Sequence, residues 1–373
     1  MQRINTVHFH MGCRAGTLLP LLYESRHDID PERRAQVALL AAVSVAMTPF
    51  ALMQELVYGK RLKETVIDKP PLFVLGYWRS GTTYLQNMLS RDEQFGWADP
   101  VHNVLLPYSL IAPGLFRKSV EKGIGAGRPM DNVQYRMDLP MEETLGMLTI
   151  SPYSIIHMLA FPMQHERFIR VPFVGDLPLA EQERWAKSYD KVLKLLTYVH
   201  GGRRLVLKSP DNTAHARLLW ERYPDCRFIN IHRDPYKSIR SAVNMIFVQM
   251  KNLRLTREPE NVEEVLEDAL VDIFRRMYEE WFALEAELPE NRYCDIAYKD
   301  FCADPIGTLR DVYARLELDG FAEAEPRFAA FAESQNSYRK NSFDISPRLT
   351  KKINDKLGFY FDHYGYTMRE VSE

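Results

Sequence analysis

Short apolar runs, each followed by a stretch with helical periodicity, set the pattern of the chain. The runs that read as buried strands are Leu72–Leu75, Arg204–Lys208, Arg227–His232 and Tyr293–Tyr298. Strands that alternate with helices at this spacing are typical of a parallel sheet covered on both faces. The sequence therefore predicts an α/β fold of three layers with a central parallel sheet of four to five strands.

A long uncharged stretch precedes the first strand. Residues 35–54 carry no charged side chain, and Asp30, Pro31 and Glu32 supply an N-cap, a first-turn proline and a first-turn acid. The pattern predicts one long helix that is buried or lies on a membrane surface, with a bilayer span as the alternative. Any peripheral membrane contact is expected at residues 31–57.

These patterns predict a helical N-terminal extension at residues 1–69 and a main domain at residues 70–373. Within that domain, residues 100–200 are rich in turn signals and in methionine. Long insertions on a rigid sheet tend to carry function, so this one is predicted to face the substrate. Its methionines are Met130, Met137, Met141, Met147, Met158 and Met163.

Charge and cysteine content narrow the classes of partner. The 48 Lys and Arg against 50 Asp and Glu leave a net charge of −2, which disfavours a general nucleic-acid binder. The 4 cysteines lie far apart, which indicates no structural zinc and a reducing compartment. The N-terminus does not resemble a signal peptide. We therefore expect a cytoplasmic protein, with membrane association left open.

The segment from Gly76 to Thr83 carries the chemistry. Its glycines have the spacing G-x-x-x-x-G between a predicted strand and a predicted helix, where backbone N–H groups can hold an anion. Nucleotide triphosphatases need lysine directly after the second glycine, but Thr82 stands there and the cation is Arg79, inside the loop. The loop therefore predicts phosphate binding of a different kind.

With this loop, the sequence resembles the sulfotransferases that use 3′-phosphoadenosine 5′-phosphosulfate (PAPS), and most closely their bacterial-type branch. The family loop reads G-x-x-[RK]-[ST]-G-T-[TS], which residues 76–83 match. A second family signature is an arginine just after a later strand with a serine eight positions on, matched by Arg233 and Ser241. The resemblance covers roughly residues 70–245 and implies a P-loop-like fold.

The resemblance implies PAPS as co-substrate and no metal. By this resemblance, Arg79 neutralises charge on the departing phosphate. Thr82 and Thr83 then bind the 5′-phosphate, and Arg233 and Ser241 bind the 3′-phosphate. Lys208 follows a strand, where ligands of α/β sheets bind, and is expected to contact the donor or the transition state. The other expected donor contacts are Tyr77, Trp78, Ser80, Gly81 and Arg339.

The general base is sought in an acidic segment that resembles the family's P-Q-E-D-E motif. Here Met141 replaces the glutamine and Thr144 the last glutamate, so Glu142 and then Glu143 are the candidates. Both could instead belong to the first turn of a helix capped by Asp138. His102 is a further candidate. A related R-P-M-D-N segment stands at Arg128–Asn132.

The function predicted is sulfuryl transfer from PAPS to a hydroxyl of a small, apolar acceptor. The alternatives are a P-loop kinase for a small molecule and a nucleotide-binding relative without catalysis. A polyanionic glycan or acidic peptide would call for a denser cationic patch than residues 100–200 offer. The sequence makes no prediction about oligomeric state.

Overall fold

The computed structural model of the protein describes residues 8–111, 113–124, 136–335 and 343–371. The elements follow in this order: α1 (Ala15–Glu24), α2 (Arg34–Ala46), α3 (Thr48–Glu64), β1 (Leu72–Leu75), α4 (Thr82–Leu89), β2 (Phe95–Gly96), α5 (Pro100–Val104), α6 (Pro113–Ile124), α7 (Thr144–Ile150), α8 (His157–Ala160), α9 (His165–Phe168), α10 (Leu179–Val199), β3 (Arg204–Leu207), α11 (Ala216–Arg222), β4 (Arg227–His232), α12 (Pro235–Leu253), α13 (Val262–Glu285), β5 (Tyr293–Ala297), α14 (Tyr298–Ala303), α15 (Pro305–Arg315), α16 (Phe321–Ser334), α17 (Pro347–Lys356) and α18 (Gly358–Tyr364).

The strands form a five-stranded parallel sheet in the order β2-β3-β1-β4-β5, which confirms the predicted α/β fold. Leu75 of β1 lies opposite Asn230 of β4, and Ile231 of β4 lies opposite Ile296 of β5. All four apolar runs of the sequence are strands. The two-residue strand β2 was not predicted, because two residues are too few to show a periodicity.

The chain divides into two compact units. The first contains residues 1–69, 94–207 and 248–260, and the second contains residues 70–93, 208–247 and 261–373. The residues predicted as an N-terminal extension thus group with the segment that holds the predicted insertion. The strand pair β2–β3 belongs to the first unit, whereas β1, β4 and β5 belong to the second.

The predicted N-terminal helix is present, with one interruption. The Asp30 side chain accepts from the Glu32 N–H at 3.0 Å, and a short 3-10 turn, Pro31–Arg33, leads into α2. The helix is interrupted at Met47 and restarts as α3, where Pro49 occupies the first turn, a position that needs no intrahelical N–H. By length and composition Pro31–Glu64 could cross a membrane, and 11% of its most apolar window is buried.

The core of the second unit is aromatic. Phe274, Tyr278 and Trp281 of α13 are fully buried, and the first two pack edge-on against Tyr360 of α18. The predicted cap of α15 is also present, because Asp304 accepts from the Gly307 N–H at 2.8 Å. This core fixes the strands whose ends carry the candidate site.

Candidate active site

Three neighbouring strands of the second unit, β1, β4 and β5, end at the same edge of the sheet. Gly76 follows β1, Arg233 follows β4 and Tyr298 follows β5. His232, the last residue of β4, lies opposite Ala297, the last residue of β5. The residues that follow are therefore brought to one level, where α/β sheets bind ligands.

The loop after β1 runs close to the neighbouring strand ends and needs its glycines. Gly76 has φ +135°, and a Cβ there would lie 2.5 Å from the Ile231 carbonyl oxygen. Gly81 has φ +110°, and a Cβ there would lie 2.4 Å from the Tyr298 ring. The Gly76 N–H donates to Oγ1 of Thr213 at 2.9 Å. The loop is thus fixed tightly before it enters α4.

Arg79 lies in the left-handed region of backbone space, with φ 68°. This conformation costs a non-glycine residue about 1–2 kcal/mol, so other contacts must hold it. The Arg79 carbonyl accepts from Nη1 of Arg233 at 2.8 Å. Next in the chain, the Ser80 N–H donates to the Tyr77 carbonyl at 3.2 Å and tightens the turn.

The two signatures found in the sequence meet here. Nε of Arg79 donates to Oγ of Ser241 at 3.1 Å, while Arg233 reaches back to the Arg79 carbonyl. The Arg233 guanidinium also lies 4.5 Å from the centre of the Tyr298 ring. We call Arg79, Arg233 and Ser241 the arginine cluster. Two guanidinium groups beside a hydroxyl suit a phosphate, which accepts several charge-assisted hydrogen bonds.

A second cation lies at the start of α4. Lys208 follows β3 in the chain, is only 3% exposed, and its Nζ is 3.3 Å from Oγ1 of Thr83. Thr82 is buried beside it in the first turn. An ammonium group buried at a helix N-terminus reinforces the positive end of the helix dipole, which favours a bound anion.

Ser80 supplies a further polar group. Its Oγ is buried and has no hydrogen-bond partner among the described residues. A buried hydroxyl without a partner is unfavourable, so a ligand oxygen in the loop would stabilise it. This observation, with the glycine backbone, fits the phosphate site predicted from the sequence.

The side chain of Tyr77 is held in the core, and Trp78 packs against it. Tyr77 is fully buried, donates to the Leu270 carbonyl at 3.1 Å and packs on Phe274. Trp78 is 9% exposed and lies edge-on against Tyr77. Because the Tyr77 side chain is engaged in the core, Tyr77 contributes its backbone to the loop.

In the first unit, Glu142 and Glu143 are not where the helix interpretation placed them. Helix α7 begins at Thr144, with Glu143 as its N-cap residue, so Asp138 does not cap it. The Glu143 side chain is fully buried and accepts from the Tyr189 hydroxyl at 3.0 Å. Glu142 is partly exposed, and its carbonyl accepts from Nδ2 of Asn103 at 2.7 Å.

His102 forms a pair with Asp99. Nδ1 of His102 is 2.7 Å from Oδ2 of Asp99, and both side chains are about one fifth exposed, at 20% and 21%. Asp99 also caps α5 by accepting from the N–H groups of Val101 and His102. Burial opposes ionisation of Asp99, but the hydrogen bonds and charge of His102, together with the charge of His200, outweigh it and lower the pKa of this carboxyl. The carboxylate therefore orients the imidazole.

Three methionines of the insertion belong to the core. Met141, Met147 and Met158 are at most 7% exposed, Met137 is partly buried, and Met163 is 40% exposed. The buried methionines therefore stabilise the first unit rather than present an open apolar surface. Two parts of the predicted site lie outside the described residues: Arg128–Asn132, which includes Met130, and Arg339.

A group of ionisable side chains in the second unit offers possible metal ligands, although none was predicted from the sequence. Ligand atoms of Glu285, Asp295 and His363 lie within 4.8 Å of one another. Asp295 also accepts from Nδ2 of Asn230 and from the Tyr364 hydroxyl, each at 2.9 Å. Burial raises the pKa of Glu285 to about 7 and that of Asp295 to about 6. Such carboxyls hold a proton without any metal.

Two contact residues of the loop were missed from the sequence. Thr213 lies in the buried 3-10 turn Pro210–His215 after β3, and Tyr298 directly follows β5. Tyr298 occupies the position that Lys208 and Arg233 also occupy, directly after a strand, and a search of every strand end for polar or aromatic residues would have found it. Thr213 lies further along the chain, inside the 3-10 turn, where such a search does not reach.

Comparisons with known proteins agree with this geometry. Residues 70–323 match the sulfotransferase family. The omega-hydroxy-beta-dihydromenaquinone-9 sulfotransferases Stf3 of Mycobacterium bovis and Mycobacterium tuberculosis are each 26% identical over 363 residues, covering 95% of this chain and 90% of theirs.

Two solved structures share the fold. The sulfotransferase STF1 of Mycobacterium tuberculosis has a TM-score of 0.66 at 18% identity and covers 91% of both chains. The sulfotransferase STF9 of Mycobacterium avium has a TM-score of 0.69 at 17% identity and covers 93% of this chain and 88% of its own. Because the family match extends over more than half of the sequence and includes both signatures of the arginine cluster, this chain is an enzyme of the sulfotransferase family.

Proposed function

We propose that the enzyme transfers the sulfuryl group of PAPS to a hydroxyl of an apolar, lipid-like acceptor. The observation that carries the donor assignment is the arginine cluster, in which the contact from Arg79 to Ser241 joins the loop signature to the later one at 3.1 Å. Two signatures far apart in the sequence form one cationic surface at the strand ends, as a donor with two phosphate positions requires.

The chain's own groups fit such a donor. When bound, PAPS supplies an activated sulfuryl group whose leaving group is a phosphate. The unpartnered Ser80 hydroxyl and the backbone N–H groups at the start of α4 offer hydrogen bonds to the 5′-phosphate. We assign the 3′-phosphate to Arg233 and Ser241.

The direction of the Arg79 side chain refines its role. The sequence interpretation places this guanidinium at the reacting end of the donor, yet its Nε is bonded to Ser241. We therefore assign Arg79 to the 3′-phosphate together with Arg233. Lys208, buried beside Thr83, becomes the cation that stabilises negative charge on the departing phosphate.

Two groups are proposed to take the proton of the acceptor hydroxyl. Glu142 is partly exposed, whereas Glu143 is buried and engaged by Tyr189. His102 is the other, because its Nδ1–H donating to the Asp99 carboxylate leaves Nε2 as the proton-accepting atom. The variants Glu142→Gln and His102→Gln distinguish them: the true base is the one whose loss slows turnover most while binding of the sulfate-free product stays near that of the parent.

The acceptor class rests on the relatives. Both Stf3 proteins are named for a hydroxylated menaquinone derivative, a lipid-like molecule, and each aligns with 95% of this chain. Sulfuryl transfer to such an acceptor breaks the bond between sulfur and the bridging oxygen of the donor and forms an ester at the hydroxyl oxygen. The hydroxyl proton goes to the base, and the electron pair of the broken bond stays on the phosphate.

The deciding experiment is mass spectrometry with sulfur-labelled PAPS and a panel of acceptors. We expect label on long-chain primary alcohols or hydroxylated isoprenoid quinols, and none on polyanionic glycans or acidic peptides. Label on glycans or peptides alone would overturn the acceptor class and keep the donor. Phosphate transfer from ATP and Mg²⁺, without transfer from PAPS, would establish the small-molecule kinase instead.

A further inference from the structure

Helices α2 and α3 present their apolar side to solvent. Large apolar side chains that are between 43% and 86% exposed occur along both helices, and in α3 two adjacent pairs of them repeat four residues apart, as residues on one side of a helix do. We call these residues the outer stripe: Leu39, Val45, Leu52, Met53, Leu56 and Val57.

The opposite face of the same helices is held to the first unit by polar contacts. Gln54 is 4% exposed, donates to the Leu106 carbonyl at 2.9 Å and accepts from the Leu110 N–H at 2.8 Å. Glu55, beside it, pairs with Lys191 of α10 at 2.6 Å. Leu40, Ala51 and Leu62 are also buried, so the inward face combines polar and apolar contacts, while the outer stripe adds a second, outward apolar face that a water-facing helix lacks.

Cations flank the outer stripe at both ends. Arg33 and Arg34 precede it, and Lys60, Arg61 and Lys63 follow it, while residues 32–34 and 60–64 contain only two carboxylates. Lys60 is the most open of them, with 86% of its side chain exposed. An uncharged apolar surface bounded by cations is the chemistry that recognises an anionic lipid bilayer.

We propose that the outer stripe inserts into the boundary between headgroups and acyl chains of an anionic bilayer, with α2 and α3 parallel to the membrane plane. A bilayer span is disfavoured because it would strip Gln54 and Glu55 of their partners in the first unit. The stripe also borders a cavity of about 260 Å³ whose lining includes Arg14, Thr48 and Leu52. Arg14 in that lining is a cation that can pair with an anionic headgroup.

This inference rests on the proposed function, which supplies the reason for the enzyme to bind a membrane. A lipid-like acceptor stays in the membrane, so an enzyme docked on the surface meets it at the depth of its hydroxyl group. Net charge over the chain is only −2, so electrostatic attraction comes from the local cations and not from the whole protein.

The test is sedimentation of the full chain with phosphatidylcholine vesicles, with and without phosphatidylglycerol. We expect binding to the anionic vesicles, and about tenfold weaker binding for each of Leu52→Gln and Leu56→Gln. Leu179→Gln is the matched control, because Leu179 is 77% exposed at the start of α10 and lies outside the stripe. Equal losses in the control, or no binding by the parent chain, would overturn the proposal.

The contribution of the flanking cations and the depth of insertion of the outer stripe are measured separately. Lys60→Glu with Lys63→Glu should remove the dependence on phosphatidylglycerol and on salt. Tryptophan fluorescence of Leu56→Trp should be quenched by brominated acyl chains, whereas that of Leu179→Trp should not. If the stripe instead covers a second copy of the chain, Leu56→Gln will convert a dimer to a monomer in sedimentation and vesicle binding will be absent.

Failure of this inference is distinguishable from failure of the proposed function. With a short, water-soluble alcohol, Leu56→Gln should turn over like the parent, whereas with an alcohol embedded in vesicles it should be slower. Vesicle binding without transfer to any alcohol would refute the acceptor class alone. Equal rates of the parent and Leu56→Gln on the embedded alcohol would refute the membrane surface alone.

Discussion

Removal of the Arg233 guanidinium should erase the enzyme's preference for ligands that carry a 3′-phosphate. Arg233 is proposed to bind that phosphate together with Ser241, and the Tyr298 ring beneath it restricts its position. The sulfate-free product of PAPS retains the 3′-phosphate, while adenosine 5′-monophosphate lacks it. The change is Arg233→Ala, and the quantity to follow is the ratio of the two dissociation constants.

The magnitude follows from the contacts. A hydrogen bond to a charged group contributes about 1.5–3 kcal/mol, which is roughly a 10- to 150-fold change in affinity. Arg233 also donates to the Arg79 carbonyl at 2.8 Å, so its loss loosens the loop and weakens both ligands to some extent. That shared effect cancels in the ratio, which isolates the contact to the 3′-phosphate.

Isothermal titration calorimetry on the parent and Arg233→Ala measures both constants directly. Arg240→Ala, on the helix α12 that follows Arg233, serves as the control, because its guanidinium pairs with Glu263 at 3.1 Å. We expect the ratio to fall by roughly 10- to 150-fold in Arg233→Ala and to stay unchanged in the control. An unchanged ratio in Arg233→Ala would refute the 3′-phosphate assignment.

Four further outcomes are expected. Lys208→Met should lower single-turnover rates about 10²-fold or more with near-parental binding of the sulfate-free product, and the reverse split would contradict its role. Gly81→Ala should lower the unfolding free energy by about 1–3 kcal/mol in denaturant melts, because its Cβ would meet the Tyr298 ring at 2.4 Å; an unaltered melt would count against the loop geometry. The raised pKa values of Glu285, about 7, and Asp295, about 6, mean that the folded state holds protons which the unfolded chain releases near pH 4. The contribution of these two groups to stability should therefore be complete below about pH 4 and be lost as pH rises towards 7, and Glu285→Gln should remove part of that loss when melts of the variant and the parent are compared across the range. Dialysis against EDTA should leave turnover unchanged, and a loss that an added divalent cation restores would assign a metal to the site.

The fold was largely predictable because its strands are buried on both faces. Such strands appear in the sequence as continuous apolar runs, and Leu72–Leu75 and Arg227–His232 match the structure residue for residue. The predicted N-cap of α7, Asp138, was wrong by five residues, since Asp138 and Pro140 form a good capping signal that the chain does not use and the observed N-cap residue is Glu143. A local signal marks only where a helix is able to begin.

The candidate site was predictable in its members and less so in its contacts. The spacing of Arg79, Arg233 and Ser241 placed them on the correct elements, but spacing carries no information about the direction of a long side chain. The bond from Arg79 to Ser241 could therefore be found only from coordinates. The same limit applies to the outer stripe, since an apolar helix face looks alike in sequence whether it packs inward or outward.

At Arg79, a backbone conformation that lowers stability coincides with a side chain that is proposed to raise affinity for the donor. Glycine adopts φ 68° without strain, so Arg79→Gly should raise the unfolding free energy by about 1 kcal/mol while it deletes the guanidinium that is proposed to bind the donor. Selection for thermal stability alone would therefore favour glycine here, giving an enzyme that is more stable but inactive. A screen that scores only folding would therefore choose glycine here and discard the side chain that is proposed to bind the donor.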